Sequence, residues 1–176
     1  LRPGVVERSG EASNLKVDIS KFFDKTYTLE QGYVEGGDIL RINNHFIIGI
    51  SGRTNETGAK NLSNIIEKNG GTSEIAITPE NTLHFKSECS LLDEETILAT
   101  DNLIKSDFFN KKYRMIKVPK GEETGANCLR INEHLLIPKG YDRLLDLVSK
   151  DYKIRVLDVT EMEKVDAGLS CLSLRW

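Results

Sequence analysis

The sequence predicts an α/β protein built of ββαβ repeats, set as a propeller or a stacked array. Three observations carry that prediction. Leu129-Arg-Ile-Asn132-Glu-His134-Leu-Leu-Ile137 matches Leu40-Arg-Ile-Asn43-Asn-His45-Phe-Ile-Ile48 position for position, an offset of 89 residues from 40 to 129. Each copy is followed by a helical apolar stripe and a closing apolar run. A third, degenerate copy lies between them, so the period is about 45 residues, in the range of repeat architectures. One such unit cannot cover its own apolar face, so neighbours must close around an axis or stack.

Taken in order, Leu1-Arg-Pro-Gly4 reads as a strand end running into a turn. Residues 9 to 23 hold a short helix with Leu15, Ile19 and Phe22/Phe23 on one face. After Tyr27 to Val34 comes the loop Glu35-Gly-Gly-Asp38. Ile39 to Ile42 and Phe46 to Ile50 then form a hairpin across Asn43-Asn44-His45. Asn55 caps a helix from Glu56 to about Lys68, with Ala59, Leu62, Ile65 and Ile66 on its apolar side. Gly70-Gly71 ends it, and Glu74 to Ile77 is the closing strand. In the middle copy, strands Cys89 to Leu92 and Thr96 to Ala99 flank the turn Asp93-Glu94-Glu95. A helix near Ser106 to Asn110 and a strand from Met115 to Val118 follow. The last copy adds a helix from Tyr141 to Ser149 and a strand from Ile154 to Val159.

Bulk properties exclude several classes. Hydrophobic and charged contents of 39% and 29% describe an ordinary globular chain, expected here to be a single domain over residues 1–176. A net charge of −3 provides no basic footprint, so nucleic acid is not an expected partner. The longest apolar run, Phe46 to Ile50, is far short of a membrane span. Three widely spaced cysteines, 89, 128 and 171, fit a reducing cytoplasm better than a disulfide framework. With three histidines they show no zinc-ligand spacing.

The residues that bear chemistry are scattered. Cys171 follows Gly168-Leu-Ser and precedes Leu-Ser-Leu, near a strand mouth where small residues permit close backbone approach. On its own it reads more readily as a buried core thiol than as a reacting one. His45 and His134 occupy one repeat position and read as structural, whereas His84 has no counterpart. Glu35, His84 and Cys171 each lead or follow a repeat. In a closed ring such positions converge on the axis, bringing carboxylate, imidazole and thiol together. That trio suits covalent catalysis at an electron-poor carbon.

Glu35-Gly-Gly-Asp38, Ser51-Gly-Arg53-Thr54-Asn55, Leu83-His84-Phe-Lys86-Ser87 and Gly168-Leu-Ser-Cys171-Leu-Ser-Leu-Arg175 together resemble the dimethylarginine dimethylaminohydrolases of the guanidino-group modifying (pentein) superfamily. The resemblance runs along the whole chain. It implies a fivefold α/β propeller and a cofactor-free hydrolysis of Nω-methylated arginine, a small guanidino substrate, to citrulline and a methylamine. By the same resemblance Cys171 is the nucleophile, His84 the general acid/base and Glu35 its carboxylate partner. Arg8 and Arg53 hold the substrate carboxylate, and the Val165 carbonyl faces the substrate amine. Asp38 and Asp166 read as structural loop aspartates. Ala167 departs from the family's usual glycine, with little effect expected. Lys86 stands where arginine deiminases and amidinotransferases carry an aspartate, which favours a methylated substrate over arginine or agmatine. The same fold also serves a ribosome anti-association factor that lacks the thiol–imidazole pair, so a non-catalytic binding role is the contrasting reading. A homodimer is compatible with the resemblance. Five repeats of about 45 residues exceed this chain, so the expected propeller is partial: three full repeats and the end of another, with the family's guanidinium-gripping acids and lid lying ahead of Leu1.

Overall fold

A computed structural model describes residues 2–4, 8, 10–106, 108, 109 and 112–173. The chain forms two compact units, Leu1–Phe85 and Lys86–Trp176.

The first unit holds helix α1 (Glu11–Ile19) and one ββαβ repeat: β1 (Ile39–Ile42), β2 (His45–Ile50), α2 (Glu56–Lys68) and β3 (Thr72–Ile77). β1 pairs antiparallel with β2, and β2 pairs parallel with β3. A parallel return needs a crossover, and α2 supplies it. The β1–β2 turn is tight because Asn43 takes a left-handed φ of 55°, a conformation asparagine tolerates better than most residues. His45 therefore opens β2 instead of lying in the turn. Asn55 caps α2 as expected, its Oδ1 accepting the Gly58 N–H at 2.8 Å. Leu40, Ile42, Ile47, Ile48, Ala59 and Ala76 are buried apolar residues of this repeat, with Ile47 and Ile48 on opposite faces of β2. Helix α1 forms where expected but buries none of its residues, and Phe22 just beyond it is 79% exposed. It is a helix by local propensity, with Glu, Ala, Leu and Lys in its sequence, and its apolar residues pack no core here.

The second unit holds two repeats. One is β4 (Cys89–Leu91), β5 (Thr96–Ala99), α3 (Asp101–Lys105) and β6 (Arg114–Lys117). The other is β7 (Leu129–Ile131), β8 (His134–Pro138), α4 (Asp142–Val148) and β9 (Lys153–Leu157), followed by α5 (Thr160–Glu163). Both repeat the antiparallel-then-parallel order of the first. Leu92, Leu98, Val118, Ala126, Cys128, Leu135, Ile137, Leu144 and Val148 make their shared core. Asn132, at φ 53°, takes the turn position that Asn43 holds in the first repeat. The repeats are unevenly spaced: their first strands begin at Ile39, Cys89 and Leu129.

The helix expected near 106–110 falls partly on residues 107 and 110, which lie outside the described residues. α3 lies at Asp101–Lys105, directly after β5. Thr100 starts it, its hydroxyl accepting the Leu103 N–H at 3.4 Å, and Asp101 places a negative charge in the first turn.

Helix α4 is capped from a distance. Glu122 is buried and accepts N–H groups of Arg143 at 3.3 Å and Leu144 at 2.8 Å, plus the Arg143 Nε at 3.0 Å. Burial pushes this carboxyl up, but the Leu144 amide and Arg143 outweigh it and hold the group below its ordinary value. A carboxyl whose folded pKa is depressed stabilises the fold above its unfolded value and loses that contribution as pH falls. Glu122→Ala is expected to cost about 1–2 kcal/mol, read as a lower denaturation midpoint at neutral pH, with the gap to wild type closing in acid.

A short 3-10 turn precedes each repeat: Gly36–Asp38 before β1, Phe85–Ser87 before β4 and Glu123–Ala126 before β7. A fourth, Leu169–Leu172, follows α5. Among the described residues, no helix is long and apolar enough to cross a membrane.

Candidate active site

The 3-10 turns position the chemistry. Glu35 stands immediately before the first and His84 immediately before the second, so the two occupy equivalent leading positions of successive repeats. Both belong to the first unit, and their side chains meet. His84 Nε2 lies 2.9 Å from Glu35 Oε2. Glu35 is 4% exposed. A buried carboxylate only accepts, so Nε2 carries the proton of this bond and Nδ1 is left as the nitrogen able to exchange protons with a substrate.

The imidazole is set against Gly37. A Cβ built there would stand 2.5 Å from His84 Cγ and 2.8 Å from Nδ1. Only a residue without a side chain lets the ring come this close to the turn, which gives the second glycine of Glu35-Gly-Gly-Asp38 its physical purpose.

Two arginines share the same carboxylate. Arg8 Nη1 donates to Glu35 Oε2 at 2.7 Å, while its other nitrogens engage Glu11. The Glu11 bond, acting against partial burial and with the Glu35 charge, raises the Arg8 guanidinium above its ordinary value. Arg53 Nη1 stands 3.7 Å from Glu35 Oε1, an atom with no hydrogen-bond partner among the described residues. These cations, with His84, offset the cost of burying the Glu35 charge. Both arginine side chains remain partly exposed, at 42% and 33%, so their remaining donors are accessible to an anion. The first unit thus collects Glu35, His84, Arg8 and Arg53 into one cluster.

Cys171 belongs to the second unit and sits inside the 3-10 turn Leu169–Leu172, not in a strand. Leu169 buries with Leu129 and Val159, anchoring one end of the turn. The Ser170 N–H donates to Asn127 Oδ1 at 3.0 Å, pinning the next residue. Gly168 admits that asparagine, since a Cβ at 168 would stand 2.3 Å from its Nδ2. With its neighbours held, Cys171 is left exposed. The other two thiols are buried: desolvation pushes Cys128 up to about 12 and Cys89 higher still. Of the three cysteines, Cys171 alone is open to solvent, the access a reacting thiol needs. Val165, after α5, is 70% exposed. Leu174 and Arg175 of the terminal motif lie outside the described residues.

Sequence reading missed one supporting residue in each unit, Asp38 in the first and Asn127 in the second. Asn127 stands in Gly125-Ala-Asn-Cys128, visible only as the segment leading a repeat. Asp38 reads as a loop aspartate bonded to its own backbone, yet it reaches Ser51, Thr54 and Phe85 instead.

Comparison with known proteins bears on this arrangement. The arginine deiminase family model matches residues 15–136. The N(G),N(G)-dimethylarginine dimethylaminohydrolase of Pseudomonas aeruginosa is 34% identical over 178 residues, spanning 99% of this chain and 69% of the relative. Its counterpart from Streptomyces coelicolor is 28% identical over 180 residues, spanning 99% and 67%. The structure of a cysteine-to-serine mutant of the Pseudomonas aeruginosa enzyme complexed with citrulline matches with a TM-score of 0.94 at 33% identity, covering 99% of this chain and 69% of that one. The ββαβ repeats are therefore those of the α/β propeller, or pentein, class, and the chain belongs to the dimethylarginine dimethylaminohydrolase family.

Proposed function

We propose that this chain hydrolyses an Nω-methylated arginine to citrulline and a methylamine or dimethylamine, with Cys171 as nucleophile. The reading treats residues 1–176 as one catalytic propeller domain. The observation that carries it is the 2.9 Å pairing of His84 with the buried Glu35 carboxylate, in a chain whose exposed thiol is Cys171. Family membership supports it, as does the relative that binds citrulline.

In the proposed reaction the Cys171 thiolate attacks the guanidinium carbon and a C–S bond forms. The bond from that carbon to the methylated nitrogen then breaks. His84, whose Nδ1 has taken the proton of the Cys171 thiol, delivers that proton to the departing nitrogen, which leaves as the amine. An S-alkylthiouronium remains on Cys171. Water attacks the same carbon and His84 takes its proton. The C–S bond breaks, the remaining hydroxyl proton passes to solvent, and the thiolate returns as the urea group of citrulline is released. Glu35 keeps the imidazole in one tautomer and stabilises its charged form. Arg8 and Arg53 grip the substrate carboxylate, for which a planar guanidinium provides paired donors. The Val165 carbonyl takes the substrate amine. The reaction needs no cofactor; a cytoplasmic location and a homodimer are both compatible with this reading.

The match to the arginine deiminase model keeps arginine and agmatine as alternative substrates. Lys86, where those enzymes carry an aspartate, withdraws the second carboxylate that an unsubstituted guanidinium would use. Incubation with monomethylarginine, asymmetric dimethylarginine, arginine and agmatine, with citrulline and released amines quantified, tests the proposal. Citrulline with methylamine or dimethylamine is expected. Turnover of arginine or agmatine alone would refute it.

A further inference from the structure

We propose that Asp38 is a positioning residue for the reaction, one carboxylate from which the arrangement of Glu35, His84 and Arg53 is hung. The inference rests on the functional reading above and assigns Asp38 more than loop closure.

Asp38 is fully buried. Its Oδ1 accepts the Phe85 N–H at 2.8 Å. Its Oδ2 accepts the Ser51 hydroxyl at 2.8 Å and the Thr54 hydroxyl at 2.6 Å. Each donor carries one functional side chain. The Phe85 amide is the peptide that follows His84, so this bond fixes the backbone from which the imidazole projects. The Thr54 oxygen in turn accepts the Glu35 N–H at 3.1 Å. The Ser51 oxygen accepts the Arg53 N–H at 2.9 Å. The Ser51 amide closes the same turn on the Thr54 carbonyl at 3.0 Å. Carboxylate, imidazole and guanidinium thus reach their places through two bonds or fewer from one anion.

Charge explains why aspartate suits this position. Bonds to an ionised acceptor are shorter and about twice as strong as neutral ones. A charged oxygen also orients both hydroxyls as donors, which frees their lone pairs for the Glu35 and Arg53 amides. Asparagine keeps the shape but turns one face into a donor. It must then lose the Phe85 N–H or reverse the hydroxyls already committed to those amides. The second repeat has a simpler version of the same brace, in which Glu88 before β4 accepts from Thr100 after β5. Bracing alone is therefore architectural, and the test needs a readout that architecture does not move.

The experiment compares Asp38→Asn, Thr54→Val and Thr54→Ser in the full chain. Measured quantities are kcat, KM for dimethylarginine, the denaturation midpoint, and a histidine-selective proton–nitrogen correlation spectrum. The chain has three histidines, so His45 and His134 serve as internal references for His84. Asp38→Asn is expected to lower kcat about 100-fold and to move the His84 cross-peaks while leaving the other two in place. Thr54→Val is expected to lower kcat in the same direction, and Thr54→Ser, which keeps the hydroxyl, to restore it. Wild-type kcat with unmoved His84 cross-peaks in Asp38→Asn overturns the proposal. Should Asp38→Asn not fold, the threonine pair decides: equal kcat in Thr54→Val and Thr54→Ser overturns it. Should wild type turn over no methylarginine, the functional reading fails, and the His84 cross-peaks alone decide for or against Asp38.

Discussion

Cys171→Ser lowers turnover of methylated arginine by roughly 1,000-fold or more, while the denaturation midpoint stays near that of wild type. The size of the loss follows from chemistry: a serine hydroxyl in this place has no base to ionise it comparable with the ready ionisation of a thiol. The small effect on stability follows from the turn. Leu169 in its apolar cluster and the Ser170 amide on Asn127 hold Leu169–Leu172 in place, and the exposed Cys171 side chain contributes little packing. Serine replacements of Cys89 or Cys128 should behave in the opposite way. Both side chains are buried, so stability falls and activity follows only as far as the folded fraction does. Steady-state kinetics beside chemical denaturation of the three variants checks the pattern. Activity retained by Cys171→Ser, or lost by a stable Cys89→Ser or Cys128→Ser, contradicts it.

Gly37→Ala is expected to cost about 100-fold or more in kcat without unfolding the chain. Gly37 is not among the residues with positive φ, so alanine meets no backbone strain there. The obstacle is the imidazole. The new methyl would lie 2.5, 2.7 and 2.8 Å from His84 Cγ, Cδ2 and Nδ1, well inside contact distance. The ring must tilt or slide away, and its 2.9 Å bond to Glu35 is the interaction that gives. A catalyst displaced by about an ångström loses much of its advantage, since proton transfer depends on short, aligned geometry. The check is kcat for the variant together with the His84 cross-peaks. A fully active Gly37→Ala protein would mean that the Glu35–His84 geometry is not what turnover uses.

Parts of this fold are plain in the amino-acid order. The doubled Leu-Arg-Ile-Asn hairpin, the cap at Asn55 and the apolar stripe of α2 each state a local rule, and local rules are what sequence periodicity records. α3 is harder to see because it is five residues long, barely one turn and a half, and begins only two residues after the end of β5. Only Thr100 followed by Asp101 signals it. The candidate site divides in the same way. Glu35 and His84 stand out by residue type and by their place ahead of a repeat, and they do meet. The Asp38 bonds join positions 38, 51, 54 and 85, and no local pattern encodes a contact across 47 residues. Gly37 looks like any turn glycine until the His84 ring is seen against it. The contrast among the three cysteines was likewise invisible, because Cys171 has the same small and aliphatic neighbours in sequence that buried thiols have.

The central claim is that Cys171 is the reacting thiol of this chain, and active-site-directed alkylation with a haloacetamidine, followed by peptide mapping, tests it most directly. The cationic amidine imitates the substrate guanidinium, and the burial-raised thiols of Cys89 and Cys128 remain protonated at mildly alkaline pH. The account predicts a single adduct on Cys171, formed in step with loss of activity and slowed by methylarginine. An adduct on Cys89 or Cys128 that tracks inactivation while Cys171 stays unmodified would contradict it.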